Sequence, residues 1–193
     1  MPSIQKVAVI GSGVMGSGIA AQIANAGLEV ILLDIVAEGS DRDAVARDAI
    51  QRMRKTNPAP LMHSRNAARI QPGNLDDHLD WLADCDLVIE AVLENLEIKK
   101  DLYQKVDAHR RSDCIVTSNT STIPLDHLVA DMSEDFREYF AVTHFFNPPR
   151  YMRLLELVAG SDTQAGVITA LRDFGDRLLG KSVVDCKDTP GFI

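Results

Sequence analysis

The sequence predicts an α/β protein built on a doubly wound, mainly parallel sheet with helices on both faces. Three observations carry this. Short apolar runs alternate with amphipathic segments along the whole chain, the pattern of strands joined by crossover helices. Runs such as residues 7–10 and 86–92 are almost continuously apolar, as strands buried on both faces must be. A glycine turn, Gly11-x-Gly13-x-x-Gly16, stands between the first apolar run and an alanine-rich amphipathic segment.

Each element follows from its residues. Residues 7–10 form the first strand, a helix starts near Val14, and a second strand ends on Asp34. Ser40 and Asp43 are spaced as a capping pair for a helix reaching about Lys55, with Ala46, Ile50 and Met53 as its apolar stripe. Pro58 and Pro60 then break the pattern, and residues 69–74 read as a short strand followed by a turn. Residues 76–83 suggest one or two helical turns, with Trp81 as packing surface. A buried strand over 86–92 leads to a helix over 97–109 whose inward residues are Ile98, Leu102 and Val106. Strands over 114–118, 139–144, 154–158 and 182–186 complete the sheet, with a polar turn at 119–123 and a helix at 165–179. No repeat, linker or low-complexity segment interrupts the chain, so all 193 residues are expected in one domain.

Composition limits the function classes. A hydrophobic share of 46% with 25% charged residues fits a globular protein, and no apolar run approaches the roughly 20 residues of a membrane span. The net charge of −8 argues against nucleic acid or an anionic membrane as the main partner. Cys85, Cys114 and Cys186 form no CxxC pair, and the first two are expected as buried, inert thiols. His63, His78, His109 and His127 are scattered without metal-ligand spacing and are expected at the surface. The first strand begins close to Met1, leaving no room for a leader, so a cytoplasmic location is expected.

Strand, glycine turn, helix, strand and acid in one register mark a Rossmann-type dinucleotide site. Gly11 permits the tight turn, Gly13 lets the backbone approach a pyrophosphate, and Gly16 lets the helix pack closely. The free N–H groups at the helix start favour the phosphates. Asp34 ends the second strand, where a carboxylate accepts from ribose hydroxyls and repels a 2′-phosphate, so NAD is expected over NADP. The cofactor contacts are expected from Gly11, Ser12, Gly13, Val14, Met15 and Gly16, and from Asp34 and Ile35.

In such sheets the ligand lies beyond the carboxyl ends of the strands. Glu94 and Lys99 follow one strand there, Asn119 and Ser121 the next, and His144 and Asn147 the one after. His144 reads either as a general base, its ordinary pKa being near neutrality, or as a structural histidine. Glu156 is its orienting carboxylate if the intervening loop turns back; otherwise it marks the solvent face of an edge strand.

The segments IGSGVMGSGIA, VIEAVLENLEIKK, SNTSTIP, THFFNPP, LLELV and DTPGF resemble, in order and spacing, the L-3-hydroxyacyl-CoA dehydrogenase family. The resemblance spans essentially the whole chain as that family's N-terminal NAD-binding domain. NTSTIP and HFFNPPRYM look especially like the dehydrogenase part of multifunctional fatty-acid oxidation proteins. It implies NAD-dependent oxidation of L-3-hydroxyacyl-CoA to 3-ketoacyl-CoA in fatty-acid β-oxidation, with His144 as base, Glu156 as its partner and Ser121 near the substrate hydroxyl and cofactor. It also implies that Ala91, Val92, Glu94 and Lys99 lie on the cofactor side and Asn147 near the nicotinamide. Alternatives stand beside these: Ser121 as a helix cap, Glu94 and Lys99 as a surface ion pair, and Asn147 as a turn former.

The family continues past DTPGF into a helical domain that closes the cleft and mediates dimer contacts. This chain stops there, so the resemblance implies a fragment lacking that domain. Arg52, Arg54 and Lys55 offer positive charge where the family places part of its CoA contacts, or else form a solvated helix end. Two other readings compete. Enzymes resembling 3-hydroxyisobutyrate dehydrogenase share a glycine loop but lack the HFFNP–Glu pair, and a non-catalytic NAD-binding protein of this fold would not need it.

Overall fold

The protein is described by a computed structural model, which covers residues 4–189 and 191. Pro190 and Phe192, part of the DTPGF segment, lie outside the described residues. Eight strands form one sheet in the order β3-β2-β1-β4-β5-β6-β7-β8. They are β1 (Lys6–Ile10), β2 (Glu29–Asp34), β3 (Ile70–Asn74), β4 (Leu87–Glu90), β5 (Ile115–Ser118), β6 (Phe140–Phe145), β7 (Leu154–Ala159) and β8 (Ser182–Cys186). The helices are α1 (Val14–Asn25), α2 (Ala44–Met53), α3 (Leu96–His109), α4 (Leu125–Val129), α5 (Glu134–Glu138) and α6 (Ala165–Asp173).

The sheet is parallel except where β6 and β7 run antiparallel. The connection between those two strands is too short to carry a crossover helix, so the chain doubles back. The pattern of apolar runs could not show this, because buried parallel and antiparallel strands look alike.

Alternate residues of each strand feed opposite cores. Val7 and Val9 pack with α1, α2 and α6, while Ala8 and Ile10 pack with α3, α4 and α5. After β1 the chain builds outward through β2 and β3, then returns to place β4 on the other side of β1. That reversal opens a crevice at the carboxyl ends of β1 and β4, where a doubly wound sheet takes its ligand.

Four local expectations are corrected. Ser40 does not cap α2: the helix begins at Ala44 after Asp43, whose carboxylate makes no cap bond and instead accepts from Asn74 Nδ2 at 2.6 Å. Ile98 is 44% exposed, and α3 turns Lys99, Leu102, Tyr103 and Val106 inward. The start of α3 is set by Asn95, whose side chain accepts from the Ile98 N–H at 3.1 Å. His78 and His109 are half-buried, and His78 Nδ1 accepts from the Asn74 N–H.

Pro72 sits in β3 because β3 is an edge strand, where a missing N–H costs no ladder bond. Trp81 packs against the α3 side of the sheet, as expected. Burial pushes both the Cys85 and Cys114 thiols up to about 12, which leaves them unreactive. Asp188 accepts from the N–H groups of Leu125 and Asp126 and so caps α4, tying the end of the chain to the segment after Ser121.

Candidate active site

The glycine turn opens the site. Gly11 has φ +99°, and a side chain there would also strike the Ala91 carbonyl, with Cβ 2.5 Å from its oxygen. A Cβ on Gly16 would collide with the Gly11 carbonyl, so that glycine lets α1 fold back against the turn. Gly13 differs: a Cβ there meets nothing within 4 Å, because the residue faces open space. It also precedes α1 without a side-chain cap, leaving the first-turn N–H groups directed toward that space.

Asp34 is locked across this turn. Its Oδ2 accepts from Ser12 N at 2.5 Å and Ser12 Oγ at 2.6 Å, and its Oδ1 accepts from Ile35 N at 2.7 Å. Ser12 thus lies behind the turn as the support for Asp34 and is almost wholly buried.

A cavity of about 820 Å³ extends from here along the carboxyl ends of the strands. Gly11, Gly13, Val14, Met15, Asp34 and Ile35 line one part, and Ala91, Val92, Glu94, Asn119 and Ser121 line another. Val14, Ile35 and Leu93 expose large apolar surfaces on it, suited to flat rings. Among the residues expected at the cofactor, Ser12, Gly16 and Lys99 stand behind the lining, and Asn147 is exposed outside it. Arg52, Arg54 and Lys55 are exposed at the end of α2.

The histidine lies beside the lining, next to Ser121. The loop after β6 does turn back, and the antiparallel register sets His144 directly opposite Glu156. His144 Nδ1 lies 2.6 Å from Glu156 Oε2, and Glu156 is 2% exposed. An ionised carboxylate only accepts, so Nδ1 is the donor in this pair, and in the neutral tautomer of the ring Nε2 is left as an acceptor. Ser121 Oγ stands 3.2 Å from that nitrogen. The reading of Ser121 as a helix cap fails, since α4 starts at Leu125.

A buried polar network, unread in the sequence, supports the Ser121 loop. Glu90, at the end of β4, is 1% exposed. Its Oε1 accepts from Val92 N at 2.8 Å and Lys99 Nζ at 2.6 Å; its Oε2 accepts from Tyr103 Oη and Ser118 Oγ, each at 2.6 Å. Lys99 Nζ also lies 3.3 Å from Glu94 Oε2. The surface-pair reading of Glu94 and Lys99 therefore fails, because the lysine side chain is 1% exposed. Burial and the neighbouring Glu90 charge raise the Tyr103 hydroxyl well above its ordinary range, so it stays protonated as a donor.

Glu94 in turn holds the loop. Its Oε1 accepts from Thr120 Oγ1 at 2.5 Å, Ser121 N at 3.0 Å, and the N–H and hydroxyl of Thr122. Burial works to raise its pKa, but the Thr120 hydrogen bond, the Lys99 charge and the backbone donors outweigh it and hold the carboxyl at about 2. Asn119 fixes the other side, its Oδ1 accepting from Phe145 N at 2.9 Å. The sequence signal for this network was a glutamate at the end of an apolar strand run, with a lysine in the first turn of the next helix.

A doubly wound sheet with a glycine turn, a dinucleotide-sized cavity and a His–Glu pair next to its Ser121 wall defines a Rossmann-type cofactor-binding domain. Residues 6–189 match the family model of the 3-hydroxyacyl-CoA dehydrogenase NAD-binding domain. The chain belongs to that family and is an NAD-binding domain of the 3-hydroxyacyl-CoA dehydrogenases. It is 48% identical over 191 residues to a Rickettsia felis protein named a fatty acid oxidation complex trifunctional enzyme, covering 98% of this chain and 26% of that protein. It is 36% identical to a 3-hydroxybutyryl-CoA dehydrogenase of Bradyrhizobium diazoefficiens, covering 98% of this chain and 64% of that protein. The crystal structure of 3-hydroxybutyryl-CoA dehydrogenase from Escherichia coli K12 superposes with a TM-score of 0.83 at 37% identity, covering 100% of this chain and 40% of that one. The chain thus spans only part of the length of these relatives. Among the described residues no helix is long and apolar enough to cross a membrane.

Proposed function

We propose that the protein oxidises the 3-hydroxyl of an L-3-hydroxyacyl-CoA to the ketone in fatty-acid β-oxidation, this chain supplying the cofactor site and the His144–Glu156 pair. The observation that carries the reading is the hydrogen-bonded row Ser121–His144–Glu156, whose first member lines the cavity.

The residues present fit NAD. Gly13 leaves the space that a pyrophosphate needs, the α1 N–H groups face it, and Asp34 is oriented at the ribose end. When bound, NAD accepts the hydride that leaves C3, so the alcohol loses one hydride and one proton. His144 takes that proton from the hydroxyl on Nε2. Glu156 holds the imidazole in the required tautomer and stabilises the imidazolium that forms. Ser121 donates toward the substrate oxygen and keeps it within reach of His144. His144 is not fully buried and then releases the proton to solvent.

The acyl-CoA assignment rests on the names of the relatives, and their greater length is where a closing helical domain and the acyl-chain contacts belong in this reading. Its test is NADH formation by the full-length protein with NAD and L-3-hydroxybutyryl-CoA or free 3-hydroxybutyrate. The thioester should be the far better substrate. Absence of NADH from every 3-hydroxyacyl-CoA tried would refute the proposal.

A further inference from the structure

Two carboxylates share one ammonium beside the Ser121 end of the cavity. Every recorded partner of Glu90 is a donor, and so is every recorded partner of Glu94, which is the hydrogen-bonding pattern of ionised carboxylates. Lys99 supplies a single positive charge between them. The group therefore carries one net negative charge, and Glu94 brings it to the cavity wall. The low pKa of Glu94 keeps that charge in place across the working pH range.

The other charges on the lining do not cancel it. Asp34 sits at the glycine-turn end and is negative itself, while Asp101 and Lys105 of α3 oppose each other. The positive end of α3 is offset by Glu97 in its first turn. At the histidine end, the Glu156 carboxylate adds a further negative charge behind His144.

The proposed hydride transfer requires the nicotinamide within about 3–3.5 Å of the substrate carbon, which puts the ring beside Ser121 and hence beside Glu94. The oxidised ring is cationic and the reduced ring is neutral. We infer that the Glu90–Lys99–Glu94 group biases this site toward the oxidised cofactor, its net negative charge favouring NAD+ over NADH. Such a bias eases release of the reduced product. The inference rests on the cofactor and His144 assignments above.

The experiment measures dissociation constants of the full-length protein for NADH by fluorescence, and for NAD+ and ADP-ribose by competition, at low salt. Glu90→Gln removes one charge without touching the cavity, and its amide can donate to the Tyr103 and Ser118 hydroxyls that now donate to Glu90. Glu94→Gln removes one charge at the wall. In both variants the ratio Kd(NADH)/Kd(NAD+) should fall by about 3–10-fold, most in Glu94→Gln. ADP-ribose, which lacks the nicotinamide, should bind Glu90→Gln as it binds the wild type. An unchanged ratio in Glu90→Gln would overturn the inference, as would equal weakening of all three ligands. Failure of the wild-type protein to bind any of the three would instead remove the cofactor reading beneath it.

Discussion

Glu94 joins the cavity wall to the core, and its chemistry has a consequence for acid stability. Its carboxyl is held at about 2 against an ordinary 4.5. A depressed folded-state pKa stabilises the fold above the unfolded value and loses that contribution as pH falls through the folded one. The urea midpoint should therefore drop between about pH 5 and about pH 2, and more steeply in wild type than in Glu94→Gln. Equal slopes would show that Glu94 is not linked to folding. At this scale the sequence was only partly legible. Glu94 and Lys99 could be picked out by their motif, but not that Lys99 is buried beneath the lining and paired twice. Glu90 and Tyr103 carry no such signal, because a polar residue at a strand end or on a helix looks exposed until its partners are placed.

At the scale of elements, the glycine turn shows how one motif divides its work. Gly16 is closed in by the Gly11 carbonyl, whereas Gly13 faces open cavity. Gly16→Ala should overpack the turn and cost about 1–3 kcal/mol, a fall in Tm of roughly 2–12 °C. Gly13→Ala should keep the wild-type Tm and weaken NAD binding. Thermal unfolding with and without NAD distinguishes them, and equal Tm values for the two variants would show that the glycines are not specialised in this way. The turn, α1 and β2 were readable because strand, glycines, helix and acid are local in sequence. Ile98 reads as inward only when the helical stripe is set on apolar residues, whereas α3 buries Lys99 and Tyr103 against Glu90. The antiparallel turn of β7 was equally hidden, since strand direction is a property of the connection and the sheet.

Across the whole molecule, strand order does what sequence distance conceals. The reversal at β1 and β4 opens the cavity, and the doubling back of β7 sets Glu156 opposite His144. Neither residue proclaims its role alone; the fold makes them a pair and Ser121 links them to the cavity. The role of His144 as the base is tested by the split between turnover and cofactor affinity in His144→Ala of the full-length protein. With L-3-hydroxybutyryl-CoA and NAD, kcat should fall by about 10²–10⁴-fold while the Kd for NAD stays at its wild-type value. An unchanged kcat would contradict the assignment of His144 as the base.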